Sequence, residues 1–469
     1  MAMPSCIVAF NERRMKRKMK SKTLVLIAAG LIGGAMVSPG ASATDGHLLH
    51  GVGAINSAMG GVGVAMPRDV LGAAFTNPAG LMAFSDGSRA DFSFEMFKPT
   101  MSVASAFPEA MGGFSGSTDG ITEWTPIPAL GWSTPVGDRA VIGLSGLGIG
   151  GFGVNYAASG VSQQGVPDNP VLAPTPAGGF GQVYSNFQLM KISPAIAFEA
   201  TKSIWLGVAL NFDWASLAVM PAPFATPDMG VGVDPGTGQP VDRGYYPDAT
   251  AADAAFGVGF QAGLTWLLSD AWSLGLAYTS PQWFQDFEFN ATNKAPGSQT
   301  FGFPREISFR MDVPATYAAG VALSTDRYYL GADLKYITYS STKGFDKKGF
   351  GADGAVQGFG WEDIMVIAVG GDYVVNNRLV LRGGYNYSDN PIPDEQSFFN
   401  IPAPAIVQQH FTGGVGIRFA EDMELSLTYY HVLENSVSGP LYGPMGPMTG
   451  TSVTSTMSEN SVIIGFSLF

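Results

Sequence analysis

The chain has 469 residues, of which 13% are charged and 12% aromatic, with 62 glycines and a formal charge of −13. Ordinary globular domains carry about 25% charged residues and about 7% glycine, so this balance argues against a soluble enzyme. The 46% apolar content argues against disorder, and a pI near 4.7 argues against a nucleic-acid partner. In chain order the first predicted element is a secretory signal. Lys16, Arg17, Lys18, Lys20 and Lys22 precede an uncharged stretch from Thr23 to Val37 that ends in Ala41-Ser42-Ala43. That stretch is too short to span a membrane and has a small-residue exit, so residues 1–43 are expected to be removed, with an upstream extension before Met15 or Met19. Cleavage takes away the only cysteine, Cys6, and leaves a net charge of −19.

A cysteine-free exported chain has neither disulfides nor thiolate ligands to hold it. No later segment offers the roughly 18 consecutive apolar residues of a spanning helix, so abundant Gly, Phe and Tyr point to an outer-membrane β-barrel. In lipid every backbone amide must be paired, and a closed sheet is the alternative to helices. Residues 44–90 do not alternate and cannot form the first strand. They are rich in small residues, including Gly60 and Gly61, and end in Asn77-Pro78-Ala79-Gly80-Leu81. A wide barrel encloses more space than its wall side chains fill, which makes this segment a plug; a periplasmic tail is the alternative.

From residue 91 onward, period-two alternation recurs. Ile204, Leu206, Val208, Leu210, Phe212 and Trp214 alternate with smaller or polar neighbours, as do Phe256 to Trp266 and Trp272 to Tyr278. Six short turns, at 136–139, 201–203, 269–271, 325–327, 376–378 and 421–422, alternate with seven long Gly/Pro-rich loops. The arithmetic is fourteen antiparallel strands with both chain ends on the short-turn side. The predicted strands are 91–97, 127–135, 139–150, 183–200, 203–215, 255–268, 271–286, 307–324, 327–340, 361–375, 378–388, 409–420, 423–435 and 459–469. In the third of them Gly146, Gly148, Gly150 and Gly151 crowd one end, where glycine marks a bulge or bend. Such a bend either opens a gap between neighbouring strands or makes room for the plug. Among the loops, Met220 and Phe224, and Leu441, Tyr442, Met445 and Met448, place apolar groups where water is expected. Exposed apolar patches mark binding surfaces, although loops packed as a lid read the same way.

The run from Gly51 through Ala58-Met59-Gly60-Gly61 to Asn77-Pro78-Ala79-Gly80-Leu81 resembles the N-terminal hatch of the FadL/TodX outer-membrane channels. Asp389-Asn390-Pro391-Ile392-Pro393 after a strand and Val313-Pro314-Ala315 inside one add to the resemblance, which extends over about Gly46 to Phe469. His47-Leu48-Leu49-His50 departs from it. The resemblance implies an all-β fold, a 14-stranded antiparallel transmembrane barrel spanning 91–469 with a hatch spanning 44–90. It also implies uptake of long-chain fatty acids or aromatic hydrocarbons, with a lateral opening at the glycine-rich strand.

Catalysis is poorly supported. Ser145 in Gly143-Leu144-Ser145-Gly146 lacks the elbow of a hydrolase nucleophile, and His47-x-x-His50, the one histidine pair at ligand spacing, is too little to suggest a metal site. A lipase and a purely structural barrel remain the rival readings. The expectation is a monomeric, cofactor-free and metal-free channel in contact with membrane lipid and lipopolysaccharide, with no nucleic-acid partner. Apolar loops would capture a hydrophobic small molecule, and the lumen would bind it. Arg68, Lys98, Lys191, Arg310 and Arg382 are candidate carboxylate partners among which the sequence does not choose.

Overall fold

The computed structural model describes residues 44–109, 112–160, 168–234, 237–443 and 445–469; the expected signal segment and Cys6 lie outside the described residues. Alternation puts one apolar face on each strand, and in the fold those faces point outward. On one strand Val208, Leu210 and Phe212 are exposed by 52%, 58% and 51%, while Ala209, Asn211 and Asp213 between them are buried. A surface of this kind is matched to lipid rather than to water.

Fourteen long strands carry that pattern. They are β1 (Arg89–Ala106), β2 (Thr125–Pro135), β3 (Ala140–Tyr156), β4 (Val183–Thr201), β5 (Ile204–Met220), β6 (Ala249–Leu267) and β7 (Trp272–Thr279). The second half comprises β8 (Thr316–Ser324), β9 (Tyr328–Ile337), β10 (Ile364–Asn376), β11 (Leu379–Ser388), β12 (Gln409–Ala420), β13 (Met423–Gly439) and β14 (Ser452–Leu468). Each pairs antiparallel with its chain neighbour, and β14 closes on β1 from Ala90↔Leu468 to Ala106↔Ser452. No backbone edge is left open.

Four expected boundaries are corrected. β1 and β14 run far past 97 and before 459, because the polar residues Ser102 to Ala106 still pair with Ser452 to Thr456 above the apolar belt. β7 ends at Thr279 and β8 begins only at Thr316, so Pro314 lies outside the strand once expected to contain it. Pro314 has no N–H to donate to a ladder. The residues between form a separate hairpin, Phe287–Thr292 with Pro304–Phe309, and a second outer hairpin joins Asp228–Val233 to Pro240–Tyr245.

Residues 44–88 lie inside the wall as two short helices, α1 (Ala54–Ala58) and α2 (Val70–Thr76), and a tight 3-10 turn over Pro78–Phe84. Their backbone comes close enough to the sheet that inward wall positions must be glycine. A Cβ on Gly207 would overlap Ala79 and Pro78, one on Gly275 would overlap Val64, and one on Gly384 would overlap Met59 and Gly60. The unusual glycine content is thus in part the imprint of a plug packed backbone to backbone.

Candidate functional site

The hatch residues singled out in the sequence sit at its tightest joints. Gly60 and Gly61 turn the chain after α1 with φ of 68° and 82°. That is the left-handed region that favours glycine. A Cβ on Gly60 would meet the backbone of Tyr385 at 2.9 Å, and one on Gly61 would overlap the His50 carbonyl. Asn77 joins three parts of the molecule. Its Oδ1 accepts from Ala79 N (3.0 Å) and caps the 3-10 turn, in which Pro78 holds the first position. Its Nδ2 donates to Val64 O (2.6 Å) within the hatch and to Leu264 O (3.1 Å) on β6. Gly263 on β6 makes room for it, since a Cβ there would overlap Asn77 Oδ1. Two carboxylates extend the attachment: Asp333 accepts from Gly63 N (2.7 Å) and Val64 N (3.0 Å), and Asp91 from Val70 N (2.7 Å).

The four glycines of β3 are not equivalent. Gly146 pairs with Ile192 in regular register, whereas the β3–β4 ladder slips between Gly148 and Gly150. Pairing of β3 with β2 ends at Ala129↔Leu147, and β2 residues 125–128 pair with β1 alone. Above Leu147 the wall therefore has a seam. Ile127 covers Gly148 there, and the first hatch residues fill the bulge: Leu49 N donates to Ile149 O (2.9 Å) and Gly151 N to His47 O (2.9 Å). A Cβ on Gly150 would overlap that same hatch backbone. Both readings of the glycine cluster meet here, because the seam exists and the hatch stands in it.

Behind the seam lies a lumen cavity of about 70 Å³, lined in part by Leu48, Leu49 and Phe75 of the hatch and by Ile149, Val313 and Ile337. Two cations, Lys191 and Lys335, enter this space from either side of Phe75, with Nζ 5.9 and 5.7 Å from the ring centroid. Lys335 is engaged, pairing with Asp45 (3.2 Å) and donating to His50 O (3.1 Å). Lys191 donates to the neutral Gln261 Oε1 at 3.3 Å, and among the described residues it forms no ion pair. Asp213 stands opposite it on β5 without bonding to it. The other four candidate cations lie elsewhere. Arg68 pairs with Asp372, Arg310 with Asp312 and Arg382 with Glu424, while Lys98 stacks on Trp124. Sequence reasoning missed Lys335 and Phe75; alternation alone could have marked Lys335 as inward, since Leu334 and Tyr336 on either side are lipid-facing.

Above the cavity the lumen is closed by rings. His47 stacks on Phe345 (centroids 5.1 Å, 14°) and meets Tyr339 edge-on at 5.4 Å, and Phe345 packs on Trp361 at 4.7 Å. Neither His47 nitrogen has a hydrogen-bond partner. Burial pushes its imidazole down to about 3, so the ring is neutral and behaves as one more aromatic plate. Higher still, Phe180, Pro223, Tyr246, Phe350, Phe398 and Phe399 border a small groove among the outer loops.

The six loop residues expected to capture ligand are not gathered into one patch. Tyr442 packs on Phe399 (4.8 Å) beside buried Leu441, with Met448 half-buried against the same core. Phe224 is turned inward and stacks on Phe309 at 4.6 Å. Met220 borders a separate polar recess with Arg243 and Lys294, and Met445 projects fully into solvent. Phe398 and Phe399, which line the groove, fall in one of the long Gly/Pro-rich loops, where alternation gives no signal.

Comparison with known proteins agrees with this architecture. Residues 36–466 match the family model of the outer membrane protein transport proteins (OMPP1/FadL/TodX). No curated protein matches the chain in sequence. Among solved structures, the toluene transporter TodX of P. putida is 21% identical, with 89% of this chain and 98% of that one covered at a TM-score of 0.62. A Pseudomonas aeruginosa FadL homologue is 17% identical, with 90% and 98% covered at 0.64, and the Ralstonia pickettii toluene transporter TbuX is 19% identical, with 89% and 98% covered at 0.61. At these identities the structures speak for the fold, while the family model covers most of the chain. A closed lipid-facing barrel with a hatch packed within it, and the family match, place the protein in the outer membrane, and the chain belongs to the FadL/TodX family of outer-membrane transport proteins.

Proposed function

We propose that the protein takes up long-chain fatty acids, captured by the outer loops, bound in the lumen cavity and released sideways through the β3 seam. The observation that carries this reading is Lys191, a buried cation with a neutral hydrogen-bond partner, in a cavity whose lining also includes the apolar side chains of Leu48, Leu49, Phe75 and Ile149. A carboxylate suits it, and a hydrocarbon tail suits those side chains, since each buried methylene contributes roughly 0.8 kcal/mol. Release follows when hatch residues 47–49 leave Ile149 and Gly151. Asp45 moves with them, which frees Lys335 and opens the bulge beside the tail. Transport needs a single chain, because cavity, seam and hatch all belong to one barrel, set in lipid and lipopolysaccharide after loss of residues 1–43.

Aromatic hydrocarbons are the second reading. It is favoured by the rings around His47 and by solved relatives described as toluene transporters and a monoaromatic hydrocarbon channel. The deciding experiment is lipid extraction and mass spectrometry of the purified protein, followed by titration with palmitate and with toluene. Co-purified fatty acid and palmitate binding that Lys191→Met weakens would support the first reading. Tight toluene binding with no palmitate binding would replace it by the second.

A further inference from the structure

The wall has a second interruption, on strands the hatch does not patch. β7 and β8, of 8 and 9 residues, are the shortest strands of the barrel. Their ladder runs from Trp272↔Leu323 to Thr279↔Thr316 and stops. Just beyond, Ser280-Pro281 and Pro314-Ala315 turn away from each other: Ser280 N donates to Phe260 O (2.9 Å), and Ala315 O accepts from Thr338 N (3.1 Å). Neither proline has an N–H to offer across the gap. One step further out, Gln282 and Val313 exchange both backbone bonds, at 3.0 and 3.1 Å. The sheet thus opens and closes again around a framed window.

A hollow lies on either face of the wall beside this window, the outer one against the last rungs of the β7–β8 ladder. Inside, Ala277, Thr279, Thr316, Ala318 and Pro314 line the lumen cavity. Outside, Leu276, Tyr278, Tyr317, Leu334 and Tyr336 line a groove open to lipid, and Ala277 and Ala318 border that groove as well. Ala277 and Ala318 are register partners, so cavity and groove are divided by one layer of backbone carrying two methyl groups. The groove ends in phenols: the Tyr278 and Tyr317 rings lie 5.0 Å apart, and the Tyr336 hydroxyl donates to Asp363 Oδ2 at 2.7 Å. Aromatic residues of this kind mark the membrane interface.

We propose that the β7–β8 window is a second lateral portal, joining the lumen cavity to the tyrosine-ended groove, which binds a single-chain amphiphile with its polar end at the phenols. With no water in a lipid-facing wall the freed groups need partners, and side chains supply them at the break: Gln282 Nε2 donates to Ser280 O (2.6 Å) and Ser280 Oγ to Pro281 O (2.9 Å). A groove that only held an annular lipid would need no interruption behind it. The proposal rests on the reading of the lumen cavity as a ligand site.

The test uses the full chain in detergent, loaded with a diazirine-bearing palmitate analogue and freed of unbound analogue before photolysis, and maps the adducts by peptide mass spectrometry. Thr279→Cys with Thr316→Cys ties the last rung below the window; antiparallel partners lie within reach of a disulfide, and residues 44–469 hold no competing thiol. Oxidation should abolish adducts at Tyr278, Tyr317 and Leu334, reductant should restore them, and adducts at Phe75 and Ile149 should persist throughout. Groove adducts that ignore the lock while lumen adducts persist would overturn the portal alone. Absence of adducts at Phe75 and Ile149 would overturn the lumen reading and the portal with it. Should the cysteine pair fail to form a heat-modifiable barrel, Ala318→Phe carries the same comparison against the unaltered chain.

Discussion

The lower and upper parts of the lumen are filled by different chemistry. Below, hatch meets wall as backbone against backbone across glycines 207, 263, 275 and 384, with Asn77, Asp91 and Asp333 supplying directed bonds. Above, His47, Tyr339, Phe345 and Trp361 pack ring on ring, with the His47 imidazole making no hydrogen bond. Directed, close contacts have one geometry, while ring packing has many of nearly equal energy. The barrel thus seals with one material and grips with another, and the cavity of Lys191 lies where the two meet.

The sharpest way to break this division is to add volume below. Gly384→Val drives a side chain into Met59 and Gly60; overpacking costs about 1–3 kcal/mol even where side chains can yield, and backbone yields less. The barrel should stay heat-modifiable while residues 44–88 become open to protease and the cells to large antibiotics. A protected hatch would show that the contact is not the seal. At the junction, Lys191→Met should weaken palmitate binding by a factor of about 10 to 100, from the roughly 1.5–3 kcal/mol of a charge-assisted bond, and leave toluene binding unchanged. Equal loss for both ligands would assign Lys191 to packing. Asn77→Ala leaves two backbone carbonyls and one N–H without their partner, a cost of about 1–3 kcal/mol shared with a hatch held elsewhere. A partial leak without loss of fold is expected in a solute-swelling assay, and an unchanged one would move the latch to Asp333. The smallest effect belongs to the outer groove, where Phe399→Ala removes ring contacts worth about 0.5–1.5 kcal/mol each. Initial uptake at low ligand concentration should fall severalfold with saturated uptake unaltered; an equal drop in both would place Phe399 in the transport path itself.

Strand number and pairing order were legible because they depend on period two and on turn residues, both local. The Asn376-Asn377-Arg378 turn and the Val208–Phe212 face needed no partner to be recognised. The hatch contacts were not legible. Gly207, Gly263 and Gly384 look identical to glycines that merely face a lumen, and only the path of residues 54–80 distinguishes them. The cavity was half legible: Lys191 stood among five candidates, while Lys335 and Phe75 acquire meaning only when β9 and α2 are brought face to face. Pro314 misled for a related reason, because a proline between Val313 and Ala315 sits in an alternating pattern that continues on either side of a break. The six loop residues scattered because composition marks a loop as apolar without saying which way each side chain turns.

The length of β4 carries one more consequence. Its outward apolar residues run from Met190 through Ile192 and Ile196 to Phe198, and above them the outward positions are Asn186 and Gln188. A tilted strand rises about 2.5 Å per residue along the membrane normal, so the residues from Val183 to Leu189 lift the rim roughly 18 Å beyond an apolar belt about 25 Å tall. The intake therefore stands off from the bilayer like a raised spout. On the proposed route, a poorly soluble molecule arriving from outside would meet protein before charged headgroups and cross that polar zone within the wall.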